Sequence, residues 1–347
     1  MIISNEHNEG YKNLHRIIEE LNPSSMTILC DSNTKKYCLN NFLDALQIDS
    51  RINIIVIAAG EQNKTIDSLL YIWDNLLNYS VDRKGLLINL GGGVITDIGG
   101  FAASTFKRGI KFINVPTTLL AMVDASIGGK NGLDYGGLKN IIGNIYLPYC
   151  TLIDTSYLDS LYNFQVLNGY AEMVKHALIT SPDTWNIIKR TEMKDFLSYN
   201  SILQSIEIKL SIVNNDLFEN GRRKILNFGH TFGHSIEALF NKQNNYLGHG
   251  IAVSVGMKVA TMISHNLGLI STFTKNDILN GLNRLFLNIT IDKDDYPDLL
   301  SYMKDDKKNF SGVYRFVLLS AIGQPEFDIS VNNEQIIEAL NQYREYY

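Results

Sequence analysis

The sequence is short of cysteine: Cys30, Cys38 and Cys150 are three among 347 residues, odd in number and without a C-x-x-C pair. Neither a disulfide framework nor a cysteine zinc site is indicated, and a reducing cytoplasm is the expected compartment. Proline is scarce at six residues, and no low-complexity segment or internal repeat is found, so no long linker or solenoid is expected. Nowhere do eighteen apolar residues run together, and the start M-I-I-S-N-E-H-N-E-G lacks a basic stretch followed by an apolar one. A membrane span and a secretory leader are therefore not expected. Positive charge is also in deficit, with 31 Lys and Arg against 36 Asp and Glu and a net charge of -5. That balance argues against a nucleic-acid surface, and basic residues gathered at one site are expected to serve a small anionic substrate. Hydrophobic residues at 45% and charged residues at 19% describe an ordinary globular protein.

A chain of 347 residues exceeds one typical core, and two domains are expected, 1–155 and 156–347. Up to about Asp154, short β-branched runs alternate with helical patterns, the signature of an α/β domain with a mainly parallel, Rossmann-like sheet. Strands are predicted at Met26–Cys30, Ile52–Ala58, Leu86–Leu90, Phe112–Val115 and Thr151–Ile153. Ligands of such sheets bind beyond the carboxyl ends of the strands, so the residues after each strand carry the functional signal.

After the first predicted strand, Asp31 and Asn33 in C-D-S-N are placed to accept hydrogen bonds from a ribose, although a turn or helix cap uses the same residues. After the second, Glu61 and Lys64 stand in a loop entering a helix predicted over Ile66–Tyr79. The third ends in L-G-G-G-V-I-T-D, where Gly91, Gly92 and Gly93 permit a tight turn and leave the N–H groups of a helix facing a pyrophosphate. This is not G-x-G-x-x-G, so a standard dinucleotide-binding domain does not follow from it. Asp97, one turn into that helix, can reach a cofactor or a substrate. The segment V-P-T-T-L-L-A-M-V-D-A-S-I-G-G-K-N-G reads as a loop and a helix start, in which Thr117 and Thr118 can donate to a phosphate or cap the helix. Asp124, Lys130, Lys139 and Asn140 follow. A lysine between glycines, as in G-G-K-N-G, has little apolar surface for its stem, so a bound anion explains it better than snorkelling. Arg108 in F-K-R-G joins these cations, though an exposed helix-end arginine looks the same.

From about Tyr157 long amphipathic patterns take over, and an all-α domain is expected apart from one late strand or hairpin limb at V-Y-R-F-V-L-L-S-A-I-G. Helices are predicted at Gly169–Ile179, Ile202–Val213, His230–Phe240 and Gly250–Leu267. In L-N-F-G-H-T-F-G-H, His230 and His234 stand four residues apart, on one helical face. His249 follows in L-G-H-G, between glycines that let a ligand approach closely, and Glu172 lies upstream in Y-A-E-M-V-K-H-A. The spacing points first to His230 and His234 as ligands, with His249 a third imidazole. A carboxylate and imidazoles from separate helices make an open zinc shell with a place left for substrate or water. Lys175 shares a helical face with Glu172, while Lys209, Glu219, Arg223 and Asn227 precede the histidines. A metal, cations and neutral donors together imply a substrate with phosphate or carboxylate groups. Lys307 or Lys308, in M-K-D-D-K-K-N-F, is a further cation that could swing toward it.

The segments G-G-G-V-I-T-D, P-T-T-L-L-A-M-V-D-A-S-I-G-G-K, L-K-N-I-I-G, A-E-M-V-K-H and L-N-F-G-H-T-F-G-H with its later H-G resemble, in order and over nearly the whole chain, the 3-dehydroquinate synthase family of sugar phosphate cyclases. The resemblance implies an NAD-binding α/β domain, a helical second domain and a homodimer. It implies a divalent zinc or cobalt ion held by Glu172, His230 and His249, with His234 a substrate or proton-transfer group instead of a ligand. By position it implies NAD contacts at Asp31, Asn33, Glu61, Lys64, Gly92, Gly93, Asp97, Thr117 and Thr118. Substrate contacts are implied at Arg108, Asp124, Lys130, Asn140, Lys175, Lys209, Arg223, Asn227, His234 and Lys307, with Lys139 between the two groups and Lys130 adjoining the cofactor. The chain departs from the family at Ile251, where glutamate is usual and a supporting carboxylate is therefore absent, and at Y-N-F-Q-V-L-N-G, which replaces a proline-arginine-glutamate segment.

The implied reaction turns 3-deoxy-D-arabino-heptulosonate 7-phosphate into 3-dehydroquinate and phosphate. A transient NAD-dependent oxidation acidifies a C–H so that phosphate can leave, after which the hydride returns, the ring opens and an internal aldol step closes the carbocycle. Another cyclase, forming a valiolone or a deoxyinosose, shares the NAD and metal parts. The set Lys130, Lys139, Asn140 and Lys209 favours a carboxylate-bearing substrate instead. A metal-dependent polyol dehydrogenase would reduce NAD in net terms, and the density of cations speaks against its small neutral alcohols. A non-catalytic NAD-binding protein would need the metal ligands to be missing.

Overall fold

The computed structural model describes residues 1–5, 9–48, 51–136, 138–243, 245–304 and 313–346. They form two compact units, Met1–Val166 and Leu167–Tyr347. The division falls later than the 155/156 boundary expected from sequence. The turn Thr155–Ser160 is tied to the first unit, because Asp154 caps it by accepting from the Ser156 N–H at 3.0 Å. The buried hydroxyls of Tyr11 and Tyr157 are 2.8 Å apart, and Tyr11 donates to Asp154 Oδ2 at 3.0 Å.

The first unit is built on strands β1 (Ile2–Ser4), β2 (Met26–Asp31), β3 (Ile52–Ile57), β4 (Leu86–Gly91), β5 (Lys111–Pro116) and β8 (Cys150–Ile153), in the order β1-β8-β5-β4-β2-β3. Every ladder in this sheet is parallel. Strand β4 is buried along its whole length, which is why it reads as apolar on both faces, with Asn89 as the one polar side chain, instead of alternating. The helices Ile66–Asn78 and Gly93–Thr105 place Leu69, Ile72, Leu76, Ile95 and Ile98 in one core with Leu29 and Leu87. Each such burial contributes about 1.5–3 kcal/mol. Strand β1 escaped prediction because three residues are too few to show a period.

The segment after Thr118 does start a helix, at Leu119 and Leu120, but the helix is short and Lys130, Lys139 and Asn140 lie beyond it on strands. The chain makes one π-helical turn, Ala121–Ala125, and then an antiparallel hairpin of β6 (Lys130–Tyr135) and β7 (Leu138–Ile145). Gly128 and Gly129 switch the chain between the two, with φ of 98° and 68° that side chains rarely adopt.

In the second unit the helices Asn163–Thr180, Tyr199–Val213, His230–Lys242 and His249–Asn266 occupy the segments predicted for them. The helix His249–Asn266 is buried on every face from Gly250 to Ser264, as befits the central element. Strands β9 (Val313–Ala321) and β10 (Gln324–Asn332) form an antiparallel hairpin, so among the described residues the unit is predominantly helical with one β element, β9 lying where the late strand was expected. Among the described residues no helix is long and apolar enough to cross a membrane. Lys307 and Lys308 lie outside the described residues.

Candidate functional site

Three helices of the second unit bring Glu172, His230 and His249 together. Nε2 of His230 and Nε2 of His249 each stand 3.6 Å from the same atom, Oε1 of Glu172. That oxygen is fully buried and has no hydrogen-bond partner. The other oxygen, Oε2, takes the ammonium of Lys175, one turn along the same helix. Atoms bound at about 2.0–2.1 Å to one tetrahedral zinc ion stand roughly 3.3 Å apart, so each imidazole lies near the spacing from Glu172 that sharing one divalent ion requires.

The remaining imidazole atoms support that fit. Nδ1 of His230 lies 3.2 Å from the Phe228 carbonyl, and Nδ1 of His249 lies 3.3 Å from Oε2 of Glu237. A carbonyl and a carboxylate can only accept, so both Nδ1 atoms carry protons and both Nε2 atoms turn toward Glu172. Burial alone would push Glu172 upward, but Lys175, His230 and His249 outweigh it and hold its pKa well below the usual carboxylate range. Burial, with Lys175 beside it, keeps His230 well below the ordinary imidazole value. Burial also opposes charge on His249, yet Glu172 and Glu237 prevail and push it up to about 10. Two carboxylates thus draw positive charge to this point. Glu237 supplies a supporting carboxylate that the presence of Ile251 had seemed to exclude. Its spacing of seven from His230 and three from His234 was the available sign, since those offsets share a helical face.

His234, exposed on the same helix, keeps its ring centroid 5.3 Å from that of His230 and 5.7 Å from that of His249. A group of the three imidazoles is therefore also close-set, as the H-x-x-x-H spacing anticipated. Lys175, Lys209 and Arg223 are all buried cations. The Arg223 guanidinium donates to the Leu217 carbonyl at 2.5 Å, and its backbone N–H to Asp216 at 2.9 Å. Asn227 donates to Oε1 of Glu219 at 2.5 Å. Sequence reasoning passed over His176, which is buried and pairs through Nδ1 with Ser205 Oγ at 2.8 Å. That bond joins the Glu172 helix to the face of Tyr199–Val213 that carries Lys209, one turn beyond Ser205.

In the first unit the helix Gly93–Thr105 starts at Gly92 with no side-chain cap, so its first N–H groups are left for another acceptor. Asp31 is a helix cap: its Oδ1 accepts from the N–H groups of Asn33 and Thr34, both at 2.8 Å. Thr118 caps the π-turn through the Ala121 N–H, while the Thr117 N–H donates to the Gly91 carbonyl. Lys64 is buried and donates to both Asp97 and Asn140 at 2.5 Å. Burial raises the Asp97 carboxyl to about 6 against the pull of Lys64. Lys139 faces Glu61 at 3.7 Å, and the Asn140 N–H donates to Asp134. Asp124 lies in the π-turn and Lys130 opens β6. Arg108 is not brought to this cluster. The helix Gly93–Thr105 carries the chain about 20 Å back to the edge where the strands begin, into a groove lined by Asp82, Arg83, Lys84, Thr105 and Lys107.

Residues 54–168 match the family model for the 3-dehydroquinate synthase N-terminal domain, and residues 169–309 match that for its C-terminal domain. The chain is 40% identical over 336 residues to a 3-dehydroquinate synthase of Parabacteroides distasonis, covering 96% of this chain and 95% of that one. Among solved structures it is similar to a 2-deoxy-scyllo-inosose synthase complexed with carbaglucose-6-phosphate, NAD+ and Co2+, with a TM-score of 0.87, 24% identity and coverage of 98% and 96%. The same TM-score of 0.87 and identity of 24% relate it to ValA, a 2-epi-5-epi-valiolone synthase from Streptomyces hygroscopicus with NAD+ and Zn2+ bound, over 100% of this chain and 97% of that one. At that identity the two structures speak for the fold alone.

Proposed function

The chain belongs to the 3-dehydroquinate synthase family, and on that premise we propose that it converts 3-deoxy-D-arabino-heptulosonate 7-phosphate to 3-dehydroquinate and phosphate. The observation that carries the reading is the orphaned, buried Oε1 of Glu172 facing two imidazole Nε2 atoms. Glu172, His230 and His249 hold a divalent zinc or cobalt ion, and NAD binds along Asp31, Asn33, Glu61, Lys64, Gly92, Gly93, Asp97, Thr117 and Thr118, with Lys139 beside them. When bound, the ion polarises the carbinol oxygen, and NAD takes up and returns the hydride.

The chain's own residues do the rest. Lys175 keeps Glu172 ionised. His234 moves a proton at the carbinol oxygen. Lys209, Arg223 and Lys130 hold the carboxylate and phosphate, and Asn140 and Asn227 give neutral hydrogen bonds, which is chiefly an orientation effect. Asp124 and Lys307 complete the set of substrate groups. The protein works as a cytoplasmic homodimer, and its three buried free cysteines support a reducing compartment.

With the sugar-acid phosphate, NAD and zinc, the purified protein is expected to release phosphate without accumulating NADH. Steady NADH formation from simple alcohols, with no phosphate released, would reassign it to the dehydrogenases. Turnover of a sugar phosphate lacking the carboxylate, in preference to the sugar acid, would favour a valiolone- or inosose-forming cyclase. Lys130→Ala is expected to lower kcat/KM by about 10- to 100-fold, the worth of one charge-assisted hydrogen bond. NAD affinity, read by fluorescence titration, should stay within about twofold of the parent.

A further inference from the structure

The helix His249–Asn266 begins without a cap of its own. Its N-cap is Gly248, which has no side chain to offer, and helices usually satisfy their first N–H groups from that position. A different helix supplies the acceptor. Asn168 Oδ1 takes the Gly250 N–H at 2.9 Å across 82 residues of sequence, and both groups are buried. The approach is as close as backbone allows, since a Cβ on Gly250 would lie 2.1 Å from the Asn168 carbonyl oxygen. Asn168 stands one helical turn before Glu172, and Gly250 directly follows His249. The bond therefore joins the two helices at the turns that carry Glu172 and His249, whose facing atoms are 3.6 Å apart.

We propose that Asn168 is a positioning residue for the metal centre, holding the start of the His249 helix at the spacing from Glu172 that one divalent ion requires. The inference rests on Glu172, His230 and His249 being the ligands. Asn168 itself points its carboxamide oxygen at backbone and acts only through His249. Residues that orient ligands in this way typically change metal affinity by about 10- to 100-fold when removed.

The test is a titration of the apoprotein with Co2+ against a chelating competitor, following the visible absorption of the bound ion. Asn168→Leu, close in volume but without the acceptor, is expected to raise the Kd about 10- to 100-fold and to alter the absorption at saturation, which a merely structural role would not move. Asn168→Asp keeps the acceptor and should bind within about threefold of the parent. If Asn168→Leu does not fold, Asn168→Ser, too short to reach Gly250, carries the same expectation. Glu172→Gln is titrated alongside. Parent-like affinity and spectrum in the Asn168 variants, with Glu172→Gln impaired, overturn the proposal alone. Parent-like affinity in Glu172→Gln as well removes the ligand assignment, and the proposal falls with it.

Discussion

Glu172→Gln is expected to lower phosphate release by about a thousandfold, corresponding to the several kilocalories per mole that a bound Lewis acid supplies. The substitution keeps the shape of the side chain and removes its charge. Two imidazole nitrogens then face a neutral amide, and a divalent ion loses the anionic partner that made the position favourable. Zinc in excess should raise the melting temperature of the parent, because a ligand that binds only the folded state stabilises it, and should leave the variant unmoved. Lys175 complicates the comparison, since it loses its buried counterion in the same step. His249→Ala resolves this: it keeps the Glu172–Lys175 pair intact and is expected to show the same loss of metal and activity. A Glu172→Gln protein that retains bound metal and a tenth or more of the activity would end the assignment of this centre.

Lys64→Met should produce the largest loss of stability. Lys64 and Asp97 are 3% and 17% exposed at their side chains, and removing one partner of a buried pair costs about 3–5 kcal/mol. The first unfolding transition is expected to fall by roughly 10 °C near neutral pH. The pH dependence has a definite sign. The folded carboxyl of Asp97 is already raised from 3.8 to about 6, so its contribution to stability is full below 3.8 and declines as the pH rises toward 6. Without Lys64 the folded pKa moves higher still, and the decline continues to a higher pH. The gap between variant and parent should therefore be small at about pH 5 and wide at about pH 8. Lys64→Met with Asp97→Asn should recover most of the lost stability while NAD binding remains impaired. A gap that is equal at both pH values, or larger at the lower one, would contradict the pairing.

Much of this architecture can be read from local pattern. The runs at Met26, Ile52, Leu86, Phe112 and Thr151 announce themselves as strands because they are short and mostly apolar, a composition that even the edge strand Ile52–Ile57 keeps. The helix of His249 was expected as an amphipathic one and is instead buried on every face from Gly250 to Ser264, so its place was legible and its central position was not. The hairpin β6–β7 was missed for a physical reason: Lys130–Tyr135 mixes glycine, asparagine and lysine with few β-branched residues, and its pairing with Leu138–Ile145 supplies what its composition does not. Glu237 and Asn168 were passed over because neither forms a motif. Each becomes visible only when helical offsets are counted from a residue already suspected, seven from His230 in one case and four from Glu172 in the other.

The order of the elements, the residue types able to hold a metal and bind anions, and membership of a family were all determined by the amino-acid sequence, because periodicity and short motifs are local properties. The tertiary structure decided which atoms meet. It set Nε2 of His230 and His249 against one oxygen of Glu172, placed Glu237 behind His249 and Asn168 under Gly250, and carried Arg108 to the far edge of its sheet. Those distances arise from how helices distant along the chain pack on one another, and a pattern that repeats every two or 3.6 residues holds no record of them.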